Sequence, residues 1–121
     1  MCGRFGLIHS WEEIHAAYGL VSSSFVLPPR YNIAPSQEIV AIIRAASREG
    51  GGDDDPLARI PALLRWGLVP AWSKDPGMGA RMINARAETI AEKPSFRAAF
   101  RRRRCLIPAS GFYEWQVTGS G

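Results

Sequence analysis

Cysteine is scarce in this chain: Cys2 and Cys105 are the only two, too few for a disulfide framework or a four-ligand zinc site. No apolar run approaches the ~20 residues that a membrane-spanning helix needs, which excludes an integral membrane protein of helical type. The first residues also lack the basic-then-apolar order of a secretory signal, so the expected compartment is the cytoplasm. Lysine is nearly missing as well, with only Lys74 and Lys93, so arginine carries the net charge of +4. The arginine fork donates two parallel hydrogen bonds to one anion and therefore suits phosphate, although a solvated basic surface accounts for the same composition. Histidine is limited to His9 and His15, both read as surface or capping residues of a short helix. No internal repeat is visible. What remains is the composition of one globular domain, 46% hydrophobic and 21% charged over 121 residues.

The local patterns predict a mainly antiparallel β protein with a few short helices. Cys2–Ile8 reads as a strand. Ser10 and Glu13 form a capping box for a helix that turns Ile14, Ala17 and Tyr18 to one face and stops at Gly19. Arg30–Ser36, rich in Pro, Asn and Ser, reads as an ordered loop, and Glu38–Ala45 and Ala58–Trp66 as two strands around a Gly- and Asp-rich hairpin tip. Met82–Thr89 reads as extended. Ser95 is placed to cap a helix carrying Phe96, Ala99 and Phe100 inward, with Arg101–Arg104 at its C-terminal end. Cys105–Ala109 and Phe112–Val117 read as closing strands across an Ala109-Ser110-Gly111 turn.

Four stretches carry candidate chemistry. Removal of Met1, which the small Cys2 side chain permits, leaves an amine and a thiol on adjacent carbons. An ordinary α-amine titrates near 8, so roughly a tenth is neutral at pH 7 and able to capture an aldehyde as an imine, after which the thiol can close a thiazolidine ring. Gly3 lets a substrate approach closely. With Met1 retained, Cys2 is simply a small apolar residue near a terminus. Asn84, Arg86 and Glu88 alternate, so an extended segment aims them at one face, as a sugar- and phosphate-binding row or as an exposed strand with paired charges. Glu114 stands among Phe112, Tyr113 and Trp115, whose bulk would desolvate the carboxylate and favour its protonated form, as a proton-transferring group requires; the alternative is a solvent-facing carboxylate. Trp72 and Pro35, with nearby arginines, match the stacking and wedging residues of single-strand nucleic-acid binders, although each aromatic alone also suits a core, where Trp66 is placed.

Taken in order, Cys2-Gly3-Arg4-Phe5, Tyr31-Asn32-Ile33-Ala34-Pro35, Trp66-Gly67-Leu68-Val69-Pro70, Ile83-Asn84-Ala85-Arg86-Ala87-Glu88-Thr89 and Arg104-Cys105-Leu106-Ile107-Pro108 leading to Gly111-Phe112-Tyr113-Glu114-Trp115 resemble the motifs of SRAP domain proteins, the SOS response-associated proteins that process abasic sites. The resemblance runs from end to end of residues 1–121 and implies a mixed α and β, mainly antiparallel domain with a curved, barrel-like sheet and a basic groove. It further implies covalent capture of the abasic-site aldehyde in single-stranded DNA through the amine and thiol of Cys2, a DNA–protein crosslink that shields the lesion in the DNA damage response, without metal or cofactor. By the same resemblance, Asn84 lies beside the sugar and Arg86 at a phosphate. Glu114 assists proton transfer, and Arg4, Asn32, Pro35 and Trp72 grip the strand and disrupt its stacking. Work at the nucleoid is expected of such a protein. Members of the family run on through further strands and a histidine in a His-Asp-Arg-like motif, which neither His9 nor His15 matches, so the sequence is expected to represent only the N-terminal part of that domain, its remainder supplied by a further segment or a second chain. Two other functions fit the same residues: an N-terminal-nucleophile cysteine peptidase, which could remove its own Met1, and a non-catalytic single-strand binder in which Cys2 is dispensable.

Overall fold

The computed structural model describes residues 1–21, 26–45 and 57–119. The expected Gly- and Asp-rich hairpin tip at 47–56 lies outside them. Two antiparallel sheets share one core. The first has the order β2-β1-β5, with β1 at Phe5–Leu7, β2 at Arg30–Ile33 and β5 at Gly111–Phe112; the second pairs β3 (Glu38–Arg44) with β4 (Arg59–Arg65). The architecture is thus mixed α and β with antiparallel sheets and short helices, and among the described residues the two sheets do not close into a barrel.

β3 forms because it is a run of β-branched and aliphatic residues, β4 is an aliphatic stretch with Pro61 in it, and the two pair in unbroken register from Glu38↔Arg65 to Arg44↔Arg59. Ile39, Val40, Ala41 and Ile42 are buried one after another, so both faces of β3 are covered. Its other edge is bridged at one point, where Ile42 and Leu106 exchange backbone hydrogen bonds of 2.8 and 3.0 Å. The core cluster reaches across both sheets, from Phe5, Leu7 and Ile33 to Ile39, Val40 and Ile42. Trp66 packs against this cluster rather than inside it, edge-on to Phe5 at 5.4 Å.

The capping box forms as predicted at α1 (Trp11–Tyr18): Ser10 Oγ accepts from the Glu13 amide at 3.2 Å, and Glu13 Oε2 accepts from the Ser10 amide at 2.7 Å. Gly19 ends the helix in the left-handed region, φ 59°. Ile14 is the buried residue of that face and Tyr18 packs at its margin, but Ala17 is exposed, so the apolar stripe is narrower than predicted.

Several expectations are corrected. Arg30–Ser36 is not all loop: Arg30–Ile33 is β2, because Ile33 drives its side chain into the core at 2% exposure and pairs with Phe5. β1 is shorter than Cys2–Ile8, and its register with β2 slips at a bulge between Phe5 and Leu7. Ser95 does not cap α2 (Arg97–Arg102); the N-cap position is Phe96, with no side-chain cap. Phe96, Ala99 and Phe100 are half-buried, and Arg101 and Arg102 fill the last turn, where cations meet the negative end of the helix dipole. The two closing strands shrink to a single bridge at Leu106 and the two residues of β5. Met82–Thr89 is not an extended strand. Asn84–Arg86 is irregular and Ala87–Ile90 is a turn closed by the Thr89 and Ile90 amides on the Arg86 carbonyl, so the alternation that would align Glu88 with Asn84 and Arg86 is broken.

Candidate functional site

The N-terminal residues are held where three separate segments meet. β1 carries Arg4 at its entrance, and the Tyr113 amide donates to the Arg4 carbonyl at 2.9 Å, extending the β1–β5 pairing by one more bond. Beyond it the chain is anchored by Asn84, whose half-buried amide Nδ2 donates to the Cys2 carbonyl at 2.8 Å. The α-ammonium, carried here by Met1, lies 3.1 Å from Glu114 Oε1. The Cys2 thiol points back along the chain and meets the Arg4 carbonyl at 3.7 Å. Backbone, α-amine and thiol are therefore each oriented by a named partner, and Cys2 stays only half-buried.

Of the two placements that the sequence leaves open, among aromatic rings or facing solvent, Glu114 takes the second. Its side chain is 42% exposed, and Trp115 is 98% exposed, because β5 stops at Phe112 and the aromatic residues after it are not stacked over a second layer. What orients Glu114 is the cation at the chain's start, an exposed ion pair of modest strength. Tyr113, expected from the sequence to supply only bulk, does more: its hydroxyl donates to the Tyr31 carbonyl at 2.8 Å and ties the Glu114 segment to β2.

β2 brings the next pair. Arg4 donates to Asn32 Oδ1 at 3.1 Å, so these two predicted DNA-contacting residues form one unit on the sheet edge. Pro35 follows in a tight turn in which the Gln37 amide bonds the Ala34 carbonyl at 3.3 Å. Ser36 occupies the position that such a turn usually gives to glycine, with φ 73°. Its amide bonds the Trp66 carbonyl at 3.0 Å, and Gln37 Oε1 accepts from both the Ala34 amide at 3.0 Å and Arg30 at 2.8 Å. Arg30 and Gln37 are thus supports of the Pro35 turn that sequence reasoning missed. Their pairing depends on the turn itself, and no periodicity could have revealed it.

Asn84 is placed by a second device. The Trp66 indole donates to the Ile83 carbonyl at 3.1 Å and the Leu68 amide to the Met82 carbonyl at 3.0 Å, laying residues 66–68 beside residues 79–83. Gly67, at φ 122°, lies directly against the Gly79 backbone. The loop between them holds a 3₁₀ helix, Pro76–Arg81, capped by Asp75. Trp72, 61% exposed, sits on this loop, and Arg86 is exposed beyond Asn84. The structure brings Cys2, Asn84, Glu114, Arg4 and Asn32 into one connected network. Among the described residues, no hydrogen bond or ion pair ties Pro35, Trp72 or Arg86 to it. No cluster of three or more His, Cys, Asp or Glu side chains that could hold a metal ion is present among the described residues. Nor is any helix there long and apolar enough to cross a membrane.

Comparison with known proteins gives a consistent picture. The abasic site processing protein YoqW of Bacillus subtilis (strain 168) is 45% identical over 121 residues, which take up 96% of this chain and 48% of the relative. The abasic site processing protein YoaM of the same organism is 45% identical over 118 residues, with the same coverage. The abasic site processing protein HMCES of Xenopus tropicalis is 35% identical over 96 residues, 76% of this chain and 28% of the relative. The chain thus spans about half the length of the bacterial relatives it matches. The family described as SOS response associated peptidase (SRAP) matches residues 1–121 in full, and the chain belongs to that family.

Proposed function

We propose that this protein processes abasic sites in DNA, and that it does so by covalent capture in single-stranded DNA. The observation that carries the reading is the double tether on the N-terminus, Asn84 on the Cys2 carbonyl at 2.8 Å and Glu114 on the α-ammonium at 3.1 Å. Loss of Met1 transfers the free amine to Cys2, one residue nearer Asn84. The ring-opened abasic sugar offers an aldehyde carbon. The neutral amine attacks it, the resulting carbinolamine loses one water to give the imine, and the thiol adds across the C=N bond, with its proton passing to nitrogen. The product is a thiazolidine, and the net change is loss of one water. Glu114, which meets the Met1 ammonium before that residue is lost, takes the ammonium proton of Cys2 in its turn and returns one to the departing hydroxyl. Asn84 fixes the backbone so that amine and thiol face the same carbon. Arg86 and the Arg4–Asn32 unit hold phosphates on either side, while Pro35 and exposed Trp72 supply a wedge and a stacking face. A curved, barrel-like closure of the two sheets, with the rest of the domain contributed by further polypeptide, belongs to this same reading, as does a role in shielding lesions during the DNA damage response.

The test is a denaturing gel after incubation with single-stranded DNA bearing one abasic site. A heat-stable adduct is expected; Cys2→Ala should abolish it, Cys2→Ser should leave it unable to close a thiazolidine, and Glu114→Gln should slow it by tenfold or more, as expected for loss of a proton-transfer group. Undiminished adduct from Cys2→Ala sinks the proposal. The family's description as a peptidase favours a second reading, in which the Cys2 thiol attacks a peptide carbonyl, the Met1–Cys2 bond included. That reading requires a thioester intermediate trapped from a peptide substrate and mass loss of Met1 that Cys2→Ala prevents. A non-covalent single-strand binder would instead keep its DNA affinity and form no adduct in any variant.

A further inference from the structure

A cavity of about 660 Å3 lies away from the N-terminal network, between the Arg44↔Arg59 end of the β3–β4 hairpin and the stretch from the end of α2 to Leu106. Five arginines line it, Arg44, Arg59, Arg101, Arg102 and Arg104, and among the described residues no Asp or Glu does. Arg59 is fixed by donating to the Tyr18 carbonyl at 3.0 Å, and Arg104 lies 5.4 Å from the Phe100 ring centre. None of the five takes part in an ion pair among the described residues. The remaining wall is apolar, with Ile42, Ile43 and Leu106 prominent.

Two walls built independently, one from the β3–β4 pair and one from a helix end, bring like charges together, with no counter-charge among the described residues. A cleft lined by one sign of charge focuses its field and concentrates counter-ions of the opposite sign. Arginine rather than lysine at all five positions favours anions that accept two parallel hydrogen bonds, as phosphate does. The charges are distributed along two walls instead of converging on one point, which suits successive phosphates better than a single ion. The apolar wall gives a sugar or an unpaired base a dry surface, which a duplex has little to offer. We propose that this cleft binds the phosphodiester backbone of single-stranded nucleic acid, as a second contact surface distinct from the N-terminal network. About 20 Å of strand, the six rises of ~3.3 Å between Glu38 and Arg44, separates it from the Pro35 end of the hairpin. The inference shares the nucleic-acid partner of the preceding reading but does not depend on the covalent step.

The experiment uses the full chain and an undamaged oligo-dT, with binding followed by anisotropy over a range of salt concentrations. In Arg101→Gln/Arg102→Gln/Arg104→Gln the salt slope of log affinity should fall by about 0.7 for each phosphate that is no longer neutralised, close to 2 if each arginine holds one. Affinity at low salt should drop tenfold or more. Arg44→Gln alone, on the opposite wall, should lower the slope by about 0.7. Arg101→Lys/Arg102→Lys/Arg104→Lys, which keeps charge but not the fork, should retain the slope and lose only part of the affinity. Adduct formation with abasic DNA at saturating concentration should stay at the wild-type rate. Unchanged slope and affinity in both neutralising variants, with thermal unfolding like wild type, overturns the proposal. So does displacement of oligo-dT by poly-aspartate or by millimolar inorganic phosphate as readily as by unlabelled oligo-dT. Failure of the wild type to form an adduct, with the slopes behaving as stated, counts against the covalent reading alone.

Discussion

At the scale of single residues, what matters is which partner a polar group finds. Glu13 shows this outside the site. Its carboxylate is held below its ordinary value of 4.5, chiefly by the hydrogen bond from the Ser10 backbone amide, with a smaller contribution from the charge of neighbouring His9. A carboxyl whose folded value is depressed stabilises the fold above its unfolded value, and that contribution is lost as pH falls through the folded value. Glu13→Gln should therefore be less stable than wild type at pH 7 in urea unfolding, and the gap should narrow as pH falls through the folded value of the carboxyl. A gap that does not change as the pH is lowered into the acid range would contradict this assignment. The capping box was legible because both of its bonds lie within four residues. Partial desolvation raises the Cys105 thiol above its ordinary value although the residue as a whole is exposed, which disfavours its thiolate form. Nothing local to Glu114 indicated that its partner would be the chain's own terminus, 113 residues earlier.

Elements follow the same rule. β3 was readable because its β-branched run favours a strand and β4 because it is an aliphatic stretch of matching length, and two strands that follow one another in the chain need no distant partner to set their register. The Asn84 segment was not readable as it stands. Its alternation resembles a strand, but the Trp66 indole, the Leu68 amide and the Gly67–Gly79 contact impose an irregular path on it. Gly67 is the point on which this depends. At φ 122° an L side chain is strained, and a Cβ there would overlap the Gly79 carbonyl oxygen. Gly67→Ala should cost about 2–4 kcal/mol, measured by denaturant unfolding, from strain and overpacking together. In any variant population that stays folded, Asn84 should lose its hold on the Cys2 carbonyl, visible as a changed amide shift for Gly3. A neutral Gly67→Ala would show that the crossing is not tight.

For the molecule as a whole, a single core cluster crosses both sheets, although among the described residues no strand of one sheet pairs with a strand of the other. Ile33, 2% exposed, sits in that cluster. Ile33→Ala should destabilise the fold by about 2–5 kcal/mol, and amide exchange in β1 and in β3 should accelerate together, because one core serves both. Faster exchange in β1 alone would mean that the sheets unfold separately. Large apolar side chains also stand exposed, Phe112 at 66% and Trp115 at 98% among them. Family membership was evident from five short motifs in order, since each holds residues that meet in space. The barrel-like closure expected from that membership is not formed by the two sheets of the described residues.

The sequence by itself determined the helix cap, the β3–β4 hairpin, the arginine-rich charge and the family, because these follow from bonds between near neighbours, from side-chain shape and from composition. Only the tertiary structure decided that Asn84 holds the Cys2 backbone, that Glu114 faces the α-ammonium instead of an aromatic enclosure, and that five arginines from two walls surround one cleft. Each of these joins residues far apart in the chain. Such contacts exist only once the core has brought the segments together, and no local periodicity encodes them.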